Sequence, residues 1–404
     1  MVTAGLITLA VIALLWISFC ALALYIQQHH GRLEPDPDAG ADLARPSVSV
    51  VIPARDEEEA IEATVRSLLS QPGVELELIV VDDGSTDRTG ELLDAIAAEE
   101  PRLRVLHDPA LPAGWLGKTN AMHQGAALAR NDLILFCDAD ILHRPGILPA
   151  AVDELERAGL DFLTLAATYR WETVLEHAFG AVGMLTILVA LGSTRYEDPE
   201  RPDDAVGIGT FMLVRREAYE AIGGHAQVRA SVVDDGDFGK LVKRSGYRVT
   251  ALFAPRGLEV RMFRGNRAAL FGPTKNLYAT LGGEPIGAIL VALVFTALIC
   301  AGPIAALSGT LAGRWSLAGA GLGLYLTQYA LFFGLRSWQR FHPLKLLGFP
   351  LFALILWLSL TRAMYFQRTR GTVLWRGREV KLGPLSSTPM TEDGGPTYGP
   401  PTSP

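Results

Sequence analysis

The chain has little cysteine and no excess of positive charge. Cys20, Cys137 and Cys300 stand far apart in its 404 residues. That spacing excludes a disulfide framework and a cysteine-based zinc site, and it suits a reducing compartment. Lys and Arg number 36 against 43 Asp and Glu, for a net charge of −7. Nucleic-acid binders usually carry a basic surface, so no nucleic acid is expected among the partners. Familiar site signatures are missing as well. No G-x-G-x-x-G opens a helix after the first strand, no Walker A sequence occurs, and H-E-x-x-H is absent. The usual dinucleotide, P-loop and zinc-protease readings fail with them.

What the chain has in quantity is apolar sequence, 49% hydrophobic residues against 20% charged. Residues 4–26 hold no charge and are long enough to cross a bilayer. They lack the basic leading region and small-residue cleavage site of a signal peptide, so they read as a retained anchor. Residues 285–313 and 315–335 are also uncharged and long enough to span, the crossings themselves expected over about 286–308 and 315–335. Residues 346–361, bounded by Lys345 and Arg362, are shorter and contain Pro350. They read as an interfacial or re-entrant segment. Residues 178–194 are uncharged but lie within the globular part, either as a buried core helix or in contact with the membrane surface. The expected layout is an anchor (4–26), a linker rich in Pro and Asp (27–46), an α/β domain (47–282) and a C-terminal membrane region (285–367). A basic segment and a disordered tail follow (368–404).

Within 47–282, apolar strands alternate with helical patterns. "SVSVVIPA", "ELELIVVDD", "LRVLHD" and "LILFCDAD" read as strands, with helices over 57–69, 86–99 and 119–129 between them. Such alternation predicts βαβ units and a mostly parallel sheet, whose ligands bind beyond the carboxyl ends of the strands. The acids gather at those ends. "FCDAD" places Asp138 and Asp140 two residues apart, hence on one face if the strand continues. Two like charges side by side call for a cation or a proton between them. Asp82, Asp83 and Asp87 in "VVDDGSTD" either cap a turn or accept hydrogen bonds from a nucleoside. "PARDEE" ends the first strand in the same way. Lys118 in "GWLGKTNAMHQG" leads into a helix, where a point charge and free backbone N–H groups suit a diphosphate. Asp234, Asp235 and Asp237 in "SVVDDGDF" precede another helix, as caps or as a general base.

These stretches, in this order over about 47–280, resemble the family 2 glycosyltransferases with the GT-A fold. The loop "LPAGWLGK" and the flanking membrane segments are most similar to the branch acting on hopanoid, carotenoid and ceramide-type lipids. The resemblance implies a GT-A α/β fold with transmembrane helices at both ends. It implies a membrane-bound, inverting transferase that moves a sugar from a nucleotide-diphosphate donor, of UDP type, to a lipid or isoprenoid hydroxyl. Asp83 with Asp82 would face the nucleoside. Pro53, Arg55, Glu57, Lys118, Asn120 and Asp138 would line the donor, joined by Arg261 or Arg264 because the processive Q-x-x-R-W motif is missing. Asp140, with Asp138, would hold Mg²⁺ or Mn²⁺. Asp235 would be the base. Asp234 stands where the family usually has Glu, which leaves the base assignment open by one residue. A nucleotide-sugar donor puts the catalytic domain on the cytosolic side of the cell membrane. A non-lipid acceptor such as a surface polysaccharide, or a silent nucleotide-sugar binder, are the competing readings.

Overall fold

The computed structural model describes residues 2–38, 45–196, 198–274, 285–336, 339–370, 372–375 and 378–381. The expected disordered tail, and part of the linker, lie outside them. The chain divides into two compact units.

One unit comprises Gly31–Thr168 and Thr194–Val260. After the N-terminal helix α1 (Val2–His29), it runs β1 (Val48–Ala54), α2 (Ile61–Leu69), β2 (Leu76–Asp82), α3 (Thr89–Glu99) and β3 (Leu103–His107). Then come α4 (Gly117–Leu128), β4 (Leu133–Phe136), β5 (Ile141–His143), α5 (Ile147–Arg157) and β6 (Phe162–Ala166). β7 (Thr168–Arg170) and α6 (Val174–Ser193) lead out of it. The chain returns as β8 (Met212–Arg215), α7 (Arg216–Ala221), α8 (Asp234–Arg244), β9 (Val249–Phe253) and β10 (Leu258–Val260). Seven strands form one sheet in the order β3-β2-β1-β4-β8-β6-β9. β1 is parallel to both β2 and β4, and β2 to β3. β8 alone runs antiparallel, between β4 and β6. β5 and β10 form a separate antiparallel pair. Covered on both faces, β1 buries successive residues rather than alternate ones: Val48, Ser49, Val50, Val51 and Ile52 are all wholly buried, Ser49 donating to Glu77 at 2.7 Å. The mostly parallel sheet expected from the sequence is present.

The local boundaries differ from expectation in three places, each for a hydrogen-bonding reason. α2 starts at Ile61, because residues 55–60 form a turn in which Asp56 takes a left-handed φ of 51°. α3 starts at Thr89, because the Asp87 carboxylate accepts the N–H groups of Thr89 at 2.9 Å and Glu58 at 3.0 Å. β4 stops at Phe136: the Asp138 N–H donates to the Gly209 carbonyl at 2.9 Å, drawing the chain off the strand path. Asp138 and Asp140 therefore sit in the following turn, and strand alternation does not set their directions.

The other unit holds Met1–His30, Tyr169–Ser193 and Arg261–Leu385. Its helices include α1, α6, α9 (Asn266–Phe271), Pro285–Leu311, Trp315–Gly334 and Phe352–Arg370. Four stretches are long and apolar enough to cross a membrane: Thr3–Ile26, Pro285–Leu311, Trp315–Gly334 and Phe349–Arg370. α6 groups with these helices rather than with the sheet. Small residues set the contact between Pro285–Leu311 and Trp315–Gly334. A side chain at Gly321 would stand 2.4 Å from the Ala306 nitrogen, and one at Gly309 2.5 Å from that of Ala318. Close backbone approach of this kind is how helices associate where lipid removes the hydrophobic drive. The Leu298 carbonyl accepts both the Trp16 indole N–H at 3.0 Å and the Gln328 amide at 2.9 Å, tying three helices together.

Candidate active site

The strand ends of the sheet unit bring four of the predicted acids and the predicted lysine into one neighbourhood. Lys118, in the first turn of α4, reaches the Asp138 Oδ1 at 2.8 Å and the Asp234 Oδ2 at 3.3 Å. Burial alone would lower the lysine's proton affinity. Asp138, Asp234 and Asp235 outweigh it and hold its pKa well above the ordinary value. Asp234 and Asp235 open α8, where the helix N-terminus favours negative charge. Withdrawal from water and then the neighbouring Asp234 charge push the Asp235 carboxyl above its usual range. Asp140 belongs to the same neighbourhood: burial first, then the charges of Asp138 and Asp140, raise the Cys137 thiol, which leaves that cysteine a poor nucleophile.

One loop joins the two groups of acids, and none of its side chains marks it for chemistry. The Gly209 N–H donates to the Asp235 Oδ2 at 2.9 Å, while the Gly209 carbonyl accepts the Asp138 N–H at 2.9 Å. A side chain at 209 would stand 2.8 Å from the Asp138 Oδ2 and 3.3 Å from the Lys118 Nζ. Any larger residue here would have to displace the Asp138 carboxylate. Thr164 on β6 fixes the loop, accepting the Ile208 N–H at 2.9 Å and donating to the Phe211 carbonyl at 2.9 Å. The sole sequence signal was the paired glycines of "GIGT". His225 is a second missed support. It stacks on Phe238 of α8 at 4.6 Å and meets Phe136 of β4 edge-on at 4.5 Å. Burial lowers its pKa to about 3, so it serves as a neutral aromatic wedge between the elements that carry Asp138 and Asp235.

At the ends of β1 and β2 the turns 55–58 and 85–89 are laced together. Asp56 accepts the Thr86 N–H at 2.7 Å and donates its own N–H to Ser85 at 3.0 Å; the Glu57 N–H donates to Thr89 at 2.7 Å. Arg55 donates to the Asp83 carbonyl, and Pro53 lies opposite Val81 in the sheet. Asp82 is committed within the fold, accepting the Ser85 N–H at 3.0 Å and facing His107 at 3.2 Å. Asn120 is fully buried and its amide holds the Ala110 carbonyl at 3.1 Å, so it anchors a loop. Asp237, in the first turn of α8, accepts the Ser231 hydroxyl at 2.6 Å, and the helix has no side-chain cap.

Arg261 and Arg264 fall in the other compact unit. There the Arg261 guanidinium meets Glu172 at 2.9 Å and the buried Glu176 at 2.9 Å, and the Gly265 N–H donates to Glu176 at 2.7 Å. Its charge is met by these two carboxylates.

The acids suit a divalent cation in a particular way. Among the described residues no three His, Cys, Asp or Glu side chains form a metal cage by themselves. Asp138 and Asp140 offer carboxylate oxygens for at most a partial shell. Mg²⁺ and Mn²⁺ sites that also hold substrate phosphates commonly have this form. With one lysine among several aspartates, the cluster is net negative and would repel a bare diphosphate.

Comparison with known proteins gives a family match and a likeness of fold. Residues 49–223 match the family model described as glycosyl transferase family 2. A 4,4'-diaponeurosporenoate glycosyltransferase of Staphylococcus aureus (strain MRSA252) is 26% identical over 339 residues, covering 83% of this chain and 88% of the relative. The protein of that name from Staphylococcus haemolyticus (strain JCSC1435) is 26% identical over 234 residues, covering 57% of this chain and 61% of its own length. Among solved structures, the mannosyltransferase PcManGT from Pyrobaculum calidifontis, in complex with GDP-Man and Mn²⁺, superposes with a TM-score of 0.52. It covers 90% of this chain and 99% of its own, at 16% identity, and the likeness is one of fold.

Proposed function

We propose that this chain, which carries a glycosyl transferase family 2 domain over residues 49–223, is a membrane-bound, inverting transferase. It moves a sugar from a nucleotide-diphosphate donor, of UDP type, to an isoprenoid or lipid hydroxyl. The observation that carries the reading is the contact of Lys118 with Asp138 and Asp234, with Asp235 held one residue away through Gly209. A relative covering 83% of the chain is named for an isoprenoid-type substrate, which supports an isoprenoid acceptor without bearing on the hydroxyl.

In this reading Asp83 and the Arg55 turn face the nucleoside, and Lys118 sets a positive charge against the diphosphate. Asp140 and Asp138 would hold Mg²⁺ or Mn²⁺, which when bound neutralises charge on the departing nucleotide. Asp235 takes the proton of the acceptor hydroxyl as that oxygen attacks the anomeric carbon opposite the leaving group. A single displacement inverts the carbon and needs no covalent enzyme intermediate. Asp235 is favoured over Asp234 as the base because Asp234 is ion-paired with Lys118, whereas Asp235 is held by the Gly209 and Gly236 N–H groups alone. To test the activity, detergent-purified protein is supplied with a panel of nucleotide sugars and total lipid extract. A glycosylated isoprenoid or lipid detected by mass spectrometry is expected; transfer only to polysaccharide, or none with intact nucleotide binding, would refute the reading.

The same reading places the sheet unit in the cytosol of the cell and residue 3 outside. Pro285–Leu311 and Trp315–Gly334 then cross and return. Phe349–Arg370 is long enough to span by length, yet its uncharged part ends before Arg362. That part, residues 349–361, measures about 20 Å as helix against a hydrocarbon core of about 30 Å. Crossing would also carry Arg368, Arg370, Arg378 and Lys381 outside, against the positive-inside rule. The C-terminus is therefore expected in the cytosol. Cysteines introduced by Thr3→Cys and Ser387→Cys can be tested with a membrane-impermeant maleimide on whole cells. Labelling at 3 but not at 387 is expected, and labelling at 387 would make the last helix a full span.

A further inference from the structure

A short apolar loop stands beside the candidate active site without any role in the chemistry so far described. Ala110 to Gly114 are all exposed, Leu111 by 42%, and residues 109–117 contain no charge. Isolated exposed leucines need no explanation, but an uncharged, exposed run at the lip of a polar site does. Its feet are tied down. The buried Asn120 amide holds the Ala110 carbonyl at 3.1 Å. The Leu116 N–H and the Thr119 hydroxyl both donate to the Arg229 carbonyl, at 2.9 Å and 2.7 Å. Gly114, at φ 82° with nothing near its missing side chain, turns the tip outward, and Trp115 packs on His123 with ring centroids 4.9 Å apart.

Two connections place this loop in register with the chemistry. Trp115 precedes Lys118 by three residues, at most about 10 Å of chain, and Lys118 touches Asp138 and Asp234. Arg229, to which the loop is bonded, leads through Ser231 and Val233 into α8 and Asp235. A molecule with a polar end at Asp235 and a long apolar body would find, within one turn of chain, an ordered apolar edge for that body.

We propose that the Leu111–Trp115 loop is the docking edge for the hydrocarbon part of the acceptor, and that it makes the enzyme selective for long chains. The inference rests on the transferase reading above and adds where the acceptor lies. Hydrophobic attraction grows with each methylene buried, so the loop leaves a graded signature. The test uses geraniol, farnesol and geranylgeraniol in detergent micelles with the full-length wild type, Leu111→Ser, and Leu111→Ser/Trp115→Ser. Donor hydrolysis without acceptor is measured alongside. Wild-type kcat/KM is expected to rise along the series. In the variants that gain should shrink at least about tenfold while donor hydrolysis stays within about twofold of wild type.

The single variant guards against misfolding in the double one, since Leu111 is exposed. A wild type indifferent to chain length, or variants that keep its preference, would overturn the loop assignment and leave the transferase reading standing. Variants that lose donor hydrolysis in equal measure would place the loop in donor binding and overturn it too. So would variants that keep the preference in micelles but no longer bind phosphatidylglycerol vesicles, which would make the loop a membrane contact. A wild type that hydrolyses donor but glycosylates none of the alcohols overturns both readings.

Discussion

Asp235→Asn is expected to cut turnover with an alcohol acceptor by about 10²–10⁴-fold, the usual cost of removing a general base. Nucleotide binding should change little if, as proposed, Asp235 acts on the acceptor while Lys118 and Asp138 act on the donor. The fold should survive: asparagine is of equal size, and its amide oxygen can still accept one of the two N–H groups, from Gly209 and Gly236, that bond the separate carboxylate oxygens at 2.9 Å and 2.8 Å. Burial and the Asp234 charge raise the carboxyl's pKa. A base works only when unprotonated, so wild-type kcat should climb with pH through a midpoint above the ordinary Asp value of about 3.9. That limb should vanish in Asp235→Asn. The relatives named for diaponeurosporenoate add a sharper control, since an "-oate" is a carboxylate with no proton to remove at neutral pH. With a carboxylate acceptor the same variant should lose far less. Rates are read from labelled sugar in the lipid phase. An alcohol acceptor for which Asp235→Asn is mild while Asp234→Asn is severe would move the base by one residue.

How much of this was legible beforehand follows physical lines. The strands β1, β2 and β4 were readable because strands buried on both faces are mostly apolar, with Ser49 and Glu77 as the interruptions, and their ends announced where the acids would gather. Their order in the sheet, with β8 inserted antiparallel beside β4, comes from contacts distant in sequence and left no local trace. The alternation argument for Asp138 and Asp140 failed because the Asp138 N–H is taken by Gly209, a residue with no side chain to attract notice. A search for chemistry finds carboxylates and lysines. It passes over a backbone that positions them, as at Gly207 to Thr210, where the information is the absence of a Cβ. Arg261 hid its ion pairs for the opposite reason. It is a charged residue in a plausible place, whose partners Glu172 and Glu176 lie far upstream and become visible only in three dimensions.

The second large effect concerns the cation. Lys118 is one positive charge set among Asp138, Asp234 and Asp235, with Asp140 close by. A nucleotide diphosphate brings more negative charge to this already acidic corner. Lysine alone cannot offset it, and the low local dielectric makes each unbalanced charge more costly than in water. Removal of divalent ions by EDTA should therefore silence the enzyme, with Mn²⁺ or Mg²⁺ restoring it. A bound metal is worth several kcal/mol to a transition state that develops charge, and each 1.36 kcal/mol is tenfold, so Asp140→Asn should lose on the order of 10³-fold in turnover. Its half-saturating metal concentration should rise, because one hard anionic ligand becomes a neutral amide. Lys118→Met separates charge from metal: it should weaken nucleotide binding yet keep the metal requirement. The measurement is sugar transfer against a metal titration, with circular dichroism as a check on folding. Full activity in EDTA with no divalent ion recoverable from the protein would remove the metal from the mechanism, and Lys118 would then have to carry the leaving group alone.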